Sequence, residues 1–259
     1  MTKRGPGTGT RTLKLTIAYD GTRYAGWQIQ TRNTQTPTIQ GTLQKVLKTI
    51  LHEDVRVIGS GRTDAGVHAE AQVAHVRTRS MIETKTLRKA ANHLLPSDIV
   101  VTSIEEALRG FHAQYAAKRK RYRYRIFLGD APPPFIRPYV HRVHAPLNLA
   151  AMRREAAAAK GAHDFRAFAR EEGKTLRSTR RTIYGIALIR RGKELHLEVE
   201  GNGFLHTMVR SLAGTVMDVG RGRLPRGIVR RMLREGQRSL AGATAPAKGL
   251  TLVCVGYDD

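Results

Sequence analysis

Apolar and polar residues alternate along Leu13-Lys14-Leu15-Thr16-Ile17, the period of a strand with one buried face. Asp20-Gly21 closes it in a turn, and Tyr24-Ala25-Gly26-Trp27 follows. From Thr38 the period changes. Ile39, Leu43, Val46, Leu47, Ile50 and Leu51 fall on one helical face, with Thr38 placed as its N-cap. Residues 55–58 and 72–76 read as two further strands, 84–95 as a helix stopped by Pro96, and 99–102 as a closing strand. The order is β-α-β-β-α-β, that of a ferredoxin-like unit.

The second half repeats the rhythm. Residues 121–127 alternate strictly and predict a strand; 147–160 are alanine-rich and helical, ended by Gly161. Residues 183–189 and 195–199 predict a hairpin across Arg191-Gly192. Helices over 204–219 and 225–233 and a strand over 250–255 complete the count, with one helix extra. The expected fold is α+β: two ferredoxin-like (β-α-β-β-α-β) halves, residues 13–112 and 113–259, with antiparallel sheets joined side by side. Residues 1–12 are expected to form a disordered basic arm. They carry charge but no apolar core, so they do not read as a secretory signal.

Charge changes the picture. The 259 residues hold 45 Lys and Arg against 21 Asp and Glu, a net charge of +24 that calls for a polyanionic partner. Nucleic acid fits best. An anionic membrane is the rival, but no run of about 18 apolar residues exists to span one. The single Cys254 excludes an internal disulfide and a multi-cysteine zinc site. The histidines show no metal spacing, and His141-Arg142-Val143-His144 is expected to be exposed. A cytoplasmic basic protein without a metal is the expectation.

The stretch Gly59-Ser60-Gly61-Arg62-Thr63-Asp64-Ala65-Gly66-Val67-His68-Ala69 lies between two strand-like runs and mounts one carboxylate among three glycines. One reading is an Asx-type turn, with Asp64 capping amides and Arg62 in solvent. The other is an acid kept ionised by Arg62 and presented to a ligand. The spacing fits neither a phosphate-binding P-loop nor a dinucleotide fingerprint. Along residues 121–126, Tyr122 and Tyr124 share one strand face and Arg121, Arg123 and Arg125 the other. Either the tyrosines are core and the arginines solvated, or a ring stacks on a nucleobase with cations at the rim. The run Lys118-Arg119-Lys120-Arg121 favours nucleic acid. In Gly201-Asn202-Gly203-Phe204-Leu205-His206-Thr207-Met208-Val209-Arg210, the arginine lies beside an apolar face and needs a carboxylate if buried. Asp64 is one candidate.

The motif around Asp64 resembles the active-site motif of the TruA family of tRNA pseudouridine synthases. Tyr19-Asp20-Gly21 with Tyr24-Ala25-Gly26-Trp27-Gln28, Phe111-His112-Ala113, Arg121-Tyr122-Arg123-Tyr124, Asn202-Gly203-Phe204-Leu205-His206 with Met208-Val209-Arg210, and Gly249-Leu250 with Leu252-Val253 resemble further family segments in the expected order. The resemblance runs from about Leu13 to Tyr257. It implies the pseudouridine synthase fold and an isomerase that works without a cofactor. It makes Asp64 the nucleophile, Tyr122 the tyrosine contacting the target base, Arg62 and Arg210 the basic residues near the aspartate, and Leu250 an apolar wall. The implied substrate is tRNA, at uridines 38–40 of the anticodon stem-loop, held across a homodimer. A stacked base cannot reach a loop carboxylate, so the uridine must be flipped out. For the C5 proton the candidates are Tyr122, a water and Asp64; an ordinary phenol pKa near 10 favours the latter two. Two rivals remain: a non-catalytic RNA-binding protein, which leaves the Asp64 loop unexplained, and another cofactor-free RNA-modifying enzyme.

Overall fold

The computed structural model describes residues 9–30, 35–170 and 178–258. Residues 1–8 of the expected arm lie outside them. The first strand, β1 (Arg11–Tyr19), starts inside the stretch read as arm. Its alternation holds: Leu13, Leu15, Ile17 and Tyr19 are buried. Helix α1 (Ile39–Leu51) begins where Thr38 caps it, the threonine Oγ1 accepting from the Gly41 amide at 3.2 Å.

The first half continues with β2 (Ile58–Gly59), β3 (His68–Thr78), α2 (Thr84–Leu94) and β4 (Ile99–Ala107). β2 is only two residues long, and β3 is much longer than residues 72–76 predict. The second half holds β5 (Arg119–Leu128), β6 (His141–Val143), α3 (Leu149–Ala157), β7 (Gly161–Asp164), β8 (Arg180–Arg191), β9 (Glu194–Gly201), α4 (Met208–Gly220), α5 (Ile228–Glu235) and β10 (Leu250–Gly256).

Ten strands of the described residues form one sheet, ordered β4-β1-β3-β10-β5-β9-β8-β7, with β2 on β3 and β6 on β5. Each half therefore carries the ferredoxin-like strand order: β4-β1-β3-β2 in the first and β10-β5-β9-β8 in the second. The two join where β10 lies parallel to β3, pairing Thr251 with His68 and Leu252 with Ala69. All other pairs within that path are antiparallel. One apolar cluster runs under both halves, from Leu13 and Leu47 to Val216 and Met232.

On the reverse face, Arg121 pairs with Glu200 at 2.6 Å, Arg123 with Glu198 and Glu70 at 3.0 Å each, and Arg125 with Glu194 at 2.8 Å. Sequence reasoning offered these cations to phosphates; β9 supplies glutamates that occupy them instead. His141 was expected to be exposed. It is half-buried on β6 with its ring 6.4 Å from Tyr124, and burial lowers its pKa. No helix of the described residues is long and apolar enough to cross a membrane.

Candidate active site

The loop from Gly59 to Val67 is fastened at several points. Ser60 Oγ meets Gln72 Oε1 at 2.7 Å, and Gln72 Nε2 donates to the Gly61 carbonyl at 3.1 Å. The Trp27 amide donates to the Thr63 carbonyl at 3.1 Å, and the Tyr19 hydroxyl shares a 2.8 Å bond with Thr63 Oγ1. Gly66 takes φ +76°, which glycine adopts without a Cβ penalty, and lies against Ala247. The loop turns back through Val67, whose amide donates to the Asp64 carbonyl at 3.1 Å. Such a frame fixes a carboxylate in direction as well as in place.

Asp64 sits half-buried at the seam of the two halves. Arg210, two residues into α4, donates Nη1 to its Oδ2 at 2.6 Å. The same guanidinium donates Nε to the Ala245 carbonyl at 2.8 Å, so its plane is held at two points. Arg210 thus has the carboxylate partner that burial requires, from a loop 146 residues away. His206 Nε2 lies 3.5 Å from the other oxygen, Oδ1. Arg62 is exposed on the same loop, so the direct ion pair described for Asp64 comes from the remote arginine.

Tyr122 projects from β5 on the face opposite the arginine–glutamate ladder. It is 8% exposed, and its ring meets Phe204 edge to face at 5.2 Å. Its hydroxyl has no hydrogen-bond partner among the described residues. Burial first, then Tyr19 and the Asp64 charge, push its pKa up, so it remains a neutral phenol. A group so placed can donate a hydrogen bond but is a poor base. Tyr124, two residues on, is fully buried and gives its hydroxyl to the Pro246 carbonyl at 3.0 Å. The pair divides: the Tyr124 hydroxyl is satisfied in the core, whereas Tyr122 lies near Asp64.

Leu250 is buried at the start of β10, in register with Tyr124, and Leu252 pairs with Tyr122. It follows the short turn of residues 247–249 that touches Gly66. The structure therefore pairs Asp64 with Arg210, sets Tyr122 near enough to feel the Asp64 charge, buries Leu250 beside Tyr124, and leaves Arg62 exposed. Sequence reasoning passed over His206. Its signal was the four-residue spacing to Arg210, which puts both at one helix entrance. Between them Thr207 adopts φ 60° and ψ 0°, left-handed for a β-branched residue. Strain of this kind persists where surrounding packing over-determines it, and here it sets the direction of His206.

The structure thus holds an aspartate by an arginine at the join of two ferredoxin-like units, with a buried tyrosine near it. The class of protein to which the chain belongs, a pseudouridine synthase and so an isomerase, is shown by its relatives. A family model described as tRNA pseudouridine synthase matches residues 15–116 and 156–258, and the chain belongs to that family. It is 45% identical over 248 residues to tRNA pseudouridine synthase A of Ruminiclostridium cellulolyticum, spanning 95% of this chain and 100% of the relative. The Anoxybacillus flavithermus protein of the same name is 42% identical over 251 residues, covering 96% and 100%. That of Moorella thermoacetica is 41% identical over 245 residues, covering 95% and 99%.

Proposed function

We propose that this protein isomerises uridine to pseudouridine in tRNA, at positions 38–40 of the anticodon stem-loop, with Asp64 as the nucleophile. The observation that carries the reading is the Arg210–Asp64 pair across the seam, with the Tyr122 phenol beside it. One Asp64 oxygen is taken by Arg210, and the other faces His206. An oriented carboxylate bonds to the flipped nucleoside, the N1–C1′ bond breaks, C1′ joins C5, and the aspartate leaves. The C5 proton goes to solvent and N1 gains one, so composition is unchanged. Tyr122 offers an apolar ring for the base that has lost its stack and a phenol proton for the ring oxygens or nitrogens. Its raised pKa leaves removal of the C5 proton to water or to Asp64 once it is released.

The domain division at residues 112/113, a homodimer holding one tRNA across both subunits, and a cytoplasmic site of action belong to the same reading. The homodimer rests on the family resemblance, the division on the repeated element order, and the location on composition. Release of tritium from C5-labelled uridine in a tRNA transcript tests the chemistry. The parent protein releases it, and Asp64→Asn does not while still binding RNA. Full activity in that variant sinks the nucleophile assignment. Binding by the parent with no pseudouridine formed leaves the chain a plain RNA-binding protein.

A further inference from the structure

Two cations on the active-site face take no part in this chemistry. Lys120 precedes Tyr122 by two residues on β5, so both side chains leave the strand on one side. Its cross-strand neighbour is Gly201, whose other neighbour is Ile183 of β8. Arg181 lies two residues before Ile183, and so on that same side. Lys120 Nζ donates to the Ser60 carbonyl at 2.7 Å, four residues before Asp64. That uses one of its three N–H groups. Arg181 gives Nη1 to the carbonyls of Ser178 at 3.0 Å and Arg180 at 2.6 Å. Neither cation has a carboxylate partner among the described residues.

Two like charges on one face of the sheet, partly dehydrated and near enough for one to disfavour the other, are unfavourable unless a counter-charge arrives. Burial, with the Arg181 charge behind it, brings the Lys120 ammonium down to about 8, and burial lowers Arg181 too. Both are cationic at neutral pH. Glycines border them: a Cβ on Gly61 would lie 2.8 Å from Lys120 Nζ, and one on Gly203 3.7 Å from Arg181 Nε. Gly61 thus lets the Lys120 ammonium come up against the loop that carries Asp64. A phosphodiester is the anion that a polynucleotide brings at every residue, and spare N–H groups on a lysine and an arginine suit its oxygens.

We propose that Lys120 and Arg181 form a binding site for one backbone phosphate of the RNA strand next to the uridine presented to Asp64. The assignment rests on Asp64 marking the uridine site. The site anchors the strand where the base leaves its stack, and so contributes to the flip and not to bond making.

The test uses full-length Asp64→Asn protein, expected to bind without turnover, and an anticodon stem-loop RNA. Single neutral methylphosphonate linkages replace, one at a time, the phosphates flanking the target. One linkage should weaken binding about tenfold. Lys120→Met and Arg181→Met, each added to that background, should weaken the ordinary RNA similarly and lower the salt slope by about one. They should then be indifferent to the neutral linkage, while Lys120→Arg keeps the parent's response. Lys120→Met should melt no lower than the background protein, because an unpaired buried charge is removed. The assignment is overturned if no flanking linkage costs affinity, a result that needs no variant at either cation. It is also overturned if both Met variants discriminate as the background protein does. Inorganic phosphate competing for the protein while neutral linkages are harmless would make it a free-anion site instead. Pseudouridine formation by the protein with Asp64 intact is read separately, so a failure of the catalytic reading is told apart from a failure here.

Discussion

Arg210 Nη1 stands 2.6 Å from Asp64 Oδ2, across 146 residues of chain and the junction of two ferredoxin-like halves. Neither half contains the whole candidate site. The first supplies Asp64 on a glycine-bordered loop; the second supplies Arg210, His206 and Tyr122. The parallel contact of β10 with β3 brings them within reach.

Arg210→Lys should lower single-turnover pseudouridylation about 100-fold with little change in RNA affinity. A lysine cannot hold Asp64 and the Ala245 carbonyl in one fixed plane, and misdirecting an attacking group costs roughly this much. Single-turnover rates beside equilibrium binding check it. Equal losses in both would make Arg210 an RNA-binding residue.

Tyr122→Phe should melt at or slightly above the parent temperature. The hydroxyl has no hydrogen-bond partner among the described residues, so its removal leaves nothing unpaired, and the ring keeps its edge contact with Phe204. The rate should fall at least about tenfold through loss of a hydrogen-bond donor. Because the phenol pKa is raised, the parent's pH–rate profile should show no limb from it below about 10. An undiminished rate in Tyr122→Phe would reduce its role to stacking.

Gly26→Ala should cost about 2–4 kcal/mol and most of the activity. Gly26 has φ +92°, and a Cβ there would lie 2.6 Å from the Thr63 carbonyl, driving backbone into the loop next to Asp64. Urea unfolding and the initial rate measure both effects. A stable, slow variant would place the damage in the loop alone.

His75 makes stability depend on pH. It is buried on β3, and its Nδ1 accepts from the Ala113 amide at 3.1 Å. Loss of hydration, then the charges of His112 and Arg77, bring its pKa from 6.5 to about 4; Lys14 is its cross-strand neighbour. The folded protein thus keeps the ring neutral down to about pH 4, while the unfolded chain protonates it near 6.5. Stability is full above 6.5 and falls as the pH drops toward 4, by on the order of 2 kcal/mol. Thermal melts across that range should show the decline, and His75→Gln should flatten it.

Local pattern made the helices and the alternating strands legible. Thr38 caps α1 as the sequence predicts, and β5 alternates as written. The missed elements, β6 and β7, are short, and their pairing with β5 and β8 is what makes them strands. The helix expected from Phe204 starts at Met208, because left-handed Thr207 cannot be read from a sequence that merely looks helical. Asp64 itself stood out through its glycines. Its ion-pair partner was legible only as one of two: Arg62 is near in sequence, and Arg210, which needed a carboxylate if buried, is near only after the sheet has closed. For the same reason the arginines of β5 looked available until the glutamates of β9 were set beside them.

The order of the strands has a consequence for the timing of activity in a growing chain. β10 follows every other strand in sequence yet separates β3 from β5 in space. Asp64 emerges early in synthesis, and Tyr122 and Arg210 follow, but the strand that brings them together is made after all three. A nascent chain carries these side chains unassembled, and Asp64 meets Arg210 and Tyr122 only when the central strand slides in.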